Sequence, residues 1–164
     1  MSKVEATKEP ESEITKGLRN EIRSAICKAA RSCGEMLIQA DRESLRIESK
    51  QGQANFVTKY DVSVEAYLRE HLLQIVPDAV FIGEESETHS CVGAKHVFIV
   101  DPIDGTTNFI KDYHASAISI ALLDEGQVMI GVVYNPYLNE MFWAERGMGA
   151  YCNDERIHVS DQPL

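Results

Sequence analysis

Two aspartates three residues apart, Asp101 and Asp104, sit in the stretch Val97-Phe98-Ile99-Val100-Asp101-Pro102-Ile103-Asp104-Gly105-Thr106-Thr107-Asn108-Phe109. Carboxylates brought together outside a strand end make a hard, oxygen-rich site that suits Mg²⁺. The amides of Gly105, Thr106 and Thr107 follow at once. Opening a helix, their free N–H groups would attract an anion such as phosphate. Neighbouring cation and anion sites are what phosphoryl chemistry requires. The same residues also suit an Asp-Gly turn followed by a threonine-capped helix, so type and spacing leave both readings open.

The elements that must position these residues can be read from the flanking pattern. Val97 to Val100 is a short apolar, β-branched run, which predicts a buried strand ending at Asp101. Pro102 fixes its own φ and turns the chain, and Gly105 permits a tight elbow. Thr106 or Thr107 is expected to cap the short helix that follows.

Upstream, a helix is expected from near Thr15, with Leu18, Ile22, Ile26, Ala29, Cys33 and Leu37 on one apolar face. Between Asp41 and Phe56 the pattern fails, and Lys50-Gln51-Gly52-Gln53 reads as a loop or hairpin tip. Asp61 is expected to cap a second helix that buries Val64, Leu68, Leu72 and Ile75 and ends at Pro77. A short strand over 79–82 leads into Gly83-Glu84-Glu85-Ser86, whose two glutamates by themselves are loop charge.

Downstream, strands are expected over 115–123, 127–134, 140–144, 150–152 and 156–159. Ile118, Ile120 and Leu122 alternate with Ala117, Ala121 and Leu123, and Val128, Ile130 and Val132 with Met129 and Val133. Both faces are apolar, so each needs cover, and two helices can cover one. Helices first and mostly antiparallel strands after predict an α+β or layered α/β fold.

Bulk properties narrow the function. The 164 residues carry a net charge of −10, which argues against a nucleic-acid surface. No apolar run is long enough to span a membrane, and the polar N-terminus has no signal-peptide core, so a cytoplasmic location is expected. Cys27, Cys33, Cys91 and Cys152 match no zinc spacing, and the five histidines show no ligand pattern.

DPIDGTTNF, with GEES upstream, resembles the inositol monophosphatase family of Mg²⁺-dependent, lithium-sensitive phosphatases, from about Ile14 to the last residue. The resemblance implies the N-terminal portion of an α-β-α-β-α sandwich over 14–164, after a disordered lead-in over 1–13. It implies that Glu84, Asp101 and the Ile103 carbonyl hold one Mg²⁺, and that Asp101 and Asp104 share in a second. Thr106, Glu84 and Asp61 would orient the attacking water, with Lys50 on a mobile loop nearby. Amides of Gly105, Thr106 and Thr107 would hold the phosphate.

Two or three Mg²⁺ ions, inhibition by lithium, a small phosphorylated substrate with inositol monophosphate foremost, and a homodimer are likewise implied. Family members draw a further metal-binding aspartate from a Trp-Asp motif. Here Trp143 precedes Ala144, so the chain is expected to be a fragment lacking the second half. Sister activities on fructose bisphosphate, nucleotide bisphosphates or histidinol phosphate are rivals. A non-catalytic Mg²⁺- and phosphate-binding module is the rival from another class.

Overall fold

In the computed structural model, helix α1 (Lys16–Ile38) buries Ile22, Ile26, Ala29, Cys33 and Leu37, as their spacing predicts. Leu18 was expected with them and is 45% exposed. Each four-residue step drifts the stripe by about 40°, which carries Leu18 past its edge. The structure describes residues 14, 16–42, 45, 47–49, 56–86 and 90–162. The expected lead-in and Lys50 with its loop lie outside the described residues.

Strands β1 (Ile47–Ser49) and β2 (Phe56–Thr58) pair antiparallel. Helix α2 (Lys59–Ile75) follows directly. Val64, Leu68 and Leu72 are buried, whereas Ile75, expected with them, is half-buried at the last turn.

The main sheet has seven strands in chain order: β3 (Val80–Gly83), β4 (His96–Asp104), β5 (Ala117–Asp124), β6 (Gln127–Asn135), β7 (Glu140–Glu145), β8 (Gly149–Cys152) and β9 (Glu155–Ile157). β3 and β4 run parallel and every later pair is antiparallel. The expected α+β architecture therefore holds, with two long helices on a mostly antiparallel sheet. Strict alternation fails in β6. Leu122 pairs with Ile130 but Leu123 with Val128, leaving Met129 as an extra residue. That bulge buries Met129 beside Ile130 and turns Val128 out to solvent.

Helices α1 and α2 pack on each other and on one face of β4, β5 and β6. Phe98, Val100, Ile118, Ile120, Leu122, Ile130 and Val132 meet them in one core. Arg23 of α1 reaches Glu145 of β7 at 2.7 Å and lies over the Trp143 ring at 3.9 Å, fastening the helix to the far strands. On the opposite face Ile99, Val133 and Phe142 are 45%, 39% and 38% exposed. They belong to an apolar surface with a shallow trough of about 290 Å³ over β5 to β9. The expectation that both faces are apolar holds, and among the described residues the helices cover one of them.

Candidate functional site

Strand β4 does not end at Asp101, as the sequence suggested, but runs on to Asp104 through Pro102. A proline has no N–H for the ladder, so inside a central strand it is found at bulges. Asp101 lies opposite Ser119 and Asp104 opposite Ala117, so two β4 residues pass where β5 has only Ile118. Residues three apart in a regular strand point to opposite faces. The extra residue cancels that alternation. Both aspartates then register with β5 residues two apart and share the face that the helices leave open.

Glu84 arrives from the neighbouring parallel strand. Gly83 is paired with Val100, and the Glu84 N–H donates to the Val100 carbonyl at 3.2 Å. Glu84 therefore leaves β3 beside Asp101, at the carboxyl ends of two parallel strands, where ligand sites in such sheets tend to form.

Burial pushes the Asp101 carboxyl up to about 7, and the Glu84 and Asp104 carboxylates add to the rise. A hydrogen bond with Glu84 acts in the same direction. The Ile103 N–H, donating to Asp101 Oδ1 at 3.1 Å, pulls the other way. Three carboxylates are thus coupled through Asp101. Among the described residues, however, no three Asp, Glu, His or Cys side chains already stand as a cage for a metal ion. Glu84 and Asp104 are exposed.

The elbow is built by Gly105, the N-cap of helix α3 (Thr106–Ile110), with φ 89° and ψ 45°. This is the left-handed region, where a side chain is strained. A Cβ here would also lie 3.1 Å from the Ala115 carbonyl oxygen. Neither threonine caps the helix, as had been expected, because α3 has no side-chain cap and Thr106 and Thr107 are its first two residues. The Gly105 carbonyl accepts from the Ser116 hydroxyl at 3.1 Å, and the Ala115 carbonyl from Asn108 Nδ2 at 2.8 Å. Phe109 is fully buried, with its ring edge-on to Tyr60 at 5.7 Å, which seats α3 against α2.

Asp61 joins the two helices. It is not the N-cap of α2, as the sequence suggested; Thr58 is. Asp61 stands at the third helical position and completes a capping box, accepting the Thr58 N–H at 2.6 Å and the Thr58 hydroxyl at 2.7 Å. Its other oxygen lies 3.2 Å from Thr106 Oγ1, which is also 3.1 Å from the Ile103 carbonyl. One hydroxyl proton serves both acceptors. Asp61 is 1% exposed. Burial raises its pKa, while bonds from Thr58 and Thr106 pull it back down.

Glu84, Asp101, Ile103, Asp104 and Thr106 are therefore brought to one strand end, with Asp61 behind Thr106, and Gly105 and Thr107 on the elbow. The sequence reading missed Thr58, although Thr58-Lys59-Tyr60-Asp61 has capping-box spacing. It also missed Glu65, whose carboxylate grips the segment after β3 and which no local pattern marks.

This arrangement can be set beside known proteins. The model of the inositol monophosphatase family matches residues 18–164. Inositol monophosphatase 2 of Saccharomyces cerevisiae is 42% identical over 119 residues, 71% of this chain and 41% of that one. The crystal structure of extragenic suppressor protein suhB from Bartonella henselae superposes with a TM-score of 0.81 at 37% identity, covering 87% of this chain and 55% of that one. An IMPase/NADP phosphatase complexed with Mg²⁺ and phosphate gives a TM-score of 0.78 at 28% identity, covering 86% and 53%. The chain spans about half the length of the curated relatives it matches. With a family model over nearly all of its length and the same fold, the chain belongs to the inositol monophosphatase family.

Proposed function

We propose that the protein carrying these residues hydrolyses the phosphate monoester of a small molecule with Mg²⁺, inositol monophosphate being the foremost substrate. The single observation that carries the reading is that Glu84 leaves β3 beside Asp101 while the β4 bulge puts Asp104 on the same face, so that burial and then the two neighbouring carboxylates raise the Asp101 pKa to about 7. Carboxylates crowded at a strand end, with the Ile103 carbonyl beside them, form an all-oxygen donor set with excess negative charge. A hard divalent cation fits it. Glu84, Asp101 and the Ile103 carbonyl would hold one ion, and Asp101 with Asp104 would share in a second. Bound there, Mg²⁺ acidifies water and neutralises charge developing on the phosphate.

The chain's own groups do the rest. Thr106, held by Asp61, orients the attacking water, with Glu84 accepting from it on the other side. The amides of Gly105, Thr106 and Thr107 meet the phosphate oxygens. Lys50 belongs to the catalytic set of the same proposal. Two or three ions, inhibition by lithium and a homodimer belong to the same proposal. The IMPase/NADP phosphatase among the structural neighbours makes a nucleotide phosphate the second substrate to try.

The test is phosphate release from inositol monophosphate with Mg²⁺, measured on this chain alone and on this chain joined to the C-terminal half of a family member. Asp104→Asn is expected to lower the rate on the order of 10²-fold, the scale for loss of one preorganised electrostatic group. Unchanged turnover in that variant would refute the assignment.

A further inference from the structure

We infer that Glu65 is a positioning residue, one that sets the direction in which Glu84 leaves the sheet; the inference rests on the metal-site reading above. Glu65 lies in the second turn of α2 and is 6% exposed. A buried glutamate is rare unless its oxygens are partnered. Here both carboxylate oxygens are met by the segment after β3. Glu65 Oε2 accepts the Glu85 N–H at 2.8 Å, and Oε1 accepts the Ser86 hydroxyl in a short bond. Arg69, one helical turn on, donates to Ser86 Oγ at 2.5 Å and stands 3.9 Å from Glu65 Oε1.

Gly83 completes the grip from the other side. A Cβ at Gly83 would fall 2.3 Å from the Glu65 carboxylate, so any larger residue there would require the carboxylate to move. The Ser86 N–H closes the turn on the Gly83 carbonyl at 3.3 Å, and the Glu84 N–H is tied to Val100. Every backbone neighbour of Glu84 is therefore pinned. Residue 83 rests on the carboxylate, 85 and 86 donate to it, and 84 is held to β4. With the helix side taken by Glu65, the Glu84 side chain is turned to the side where Asp101 interacts with it.

A role limited to joining α2 to the sheet would need neither charge nor two aligned acceptors. A ligand-orienting role needs both, and loss of such support typically weakens metal binding about 10–100-fold. Glu65→Gln preserves volume but turns an NH₂ donor towards either the Glu85 N–H or the Ser86 hydroxyl.

The experiment titrates Mn²⁺ into the 164-residue chain, followed by calorimetry and the paramagnetic signal, for wild type, Glu65→Gln, Glu84→Gln and Leu37→Val. Thermal midpoints and the hydrogen-exchange rate of the Glu85 amide are read alongside. Glu65→Gln is expected to weaken Mn²⁺ about tenfold and to speed Glu85 exchange by a similar factor. Leu37→Val, destabilised in the α1 core, is expected to keep wild-type affinity.

Wild-type Mn²⁺ affinity in Glu65→Gln despite a deprotected Glu85 amide would overturn the inference. So would affinity losses in Glu65→Gln and Leu37→Val that follow their midpoints alone. Should Glu65→Gln not fold, Ser86→Ala removes one of the two bonds, and a loss of about threefold is expected, with no loss overturning the inference. No saturable Mn²⁺ uptake by wild type, or full uptake by Glu84→Gln, overturns the metal-site reading itself and this inference with it.

Discussion

Replacing Asp101 by asparagine separates the electrostatic cost of the site from its use. The Asp101 carboxyl titrates at about 7 against an ordinary 3.8, a rise of roughly three units. Each unit is worth about 1.4 kcal/mol, or about 4 kcal/mol before screening. Asp101 is only half-buried, so solvent takes up part of this and about 2 kcal/mol is the working figure. The pKa is higher in the folded state than in the unfolded one. The folded chain therefore keeps a proton that the unfolded chain gives up. Stability from this group is full below about pH 4 and is lost as pH rises through about 7.

Asparagine cannot ionise, yet its carbonyl still accepts the Ile103 N–H. In chelator, the advantage of Asp101→Asn over wild type is expected to grow by about 2 kcal/mol between about pH 4 and about pH 8. For a chain of this size that is a midpoint change of about 4–8 °C, readable by circular dichroism. Millimolar Mg²⁺ is expected to reverse the order near pH 8, since the ion stabilises only a chain that binds it. An advantage that does not grow with pH, or equal Mg²⁺ stabilisation of both proteins, would refute the reasoning.

The elbow and its anchor give two further outcomes. Gly105→Ala forces a side chain into a left-handed conformation and against the Ala115 carbonyl, so a loss of about 2 kcal/mol is expected in urea unfolding. A loss under half of that would mean that the elbow can relax. Phe109→Ala empties a fully buried position and is expected to cost about 3–5 kcal/mol. A cost near 1 kcal/mol would mean that α3 is not seated through that ring.

Periodicity made the helices legible. The Ile22 to Leu37 stripe and the Val64 to Leu72 stripe are local patterns that burial follows directly. The strands after Ala117 were readable for the same reason, apart from the Met129 bulge, which depends on how two strands pair. At the site the residue types were legible and the geometry was not. DPIDG announced carboxylates on a bend, but only the pairing with β5 reveals Asp101 and Asp104 on one face. Asp61 read as a cap because one sequence position cannot tell the N-cap from the third helical residue that answers it. Glu65 was invisible because its partners lie about twenty positions away and are mostly backbone. Likeness to known proteins gives the family, and the individual ligand roles are the proposal made above from the geometry around Asp101.

The irregularity at Pro102 also governs which length changes this segment can tolerate. Deleting the extra residue between the aspartates would leave them two apart in a regular strand, still on the open face, so a shortened segment need not separate the carboxylates. Keeping the three-residue spacing while the strand runs regular, with Asp104 drawn out of line with Ala117, would swing one carboxylate to the helix side. The two acidic groups stay together only while β4 and β5 keep this pairing, and they can be parted with every acidic residue still present.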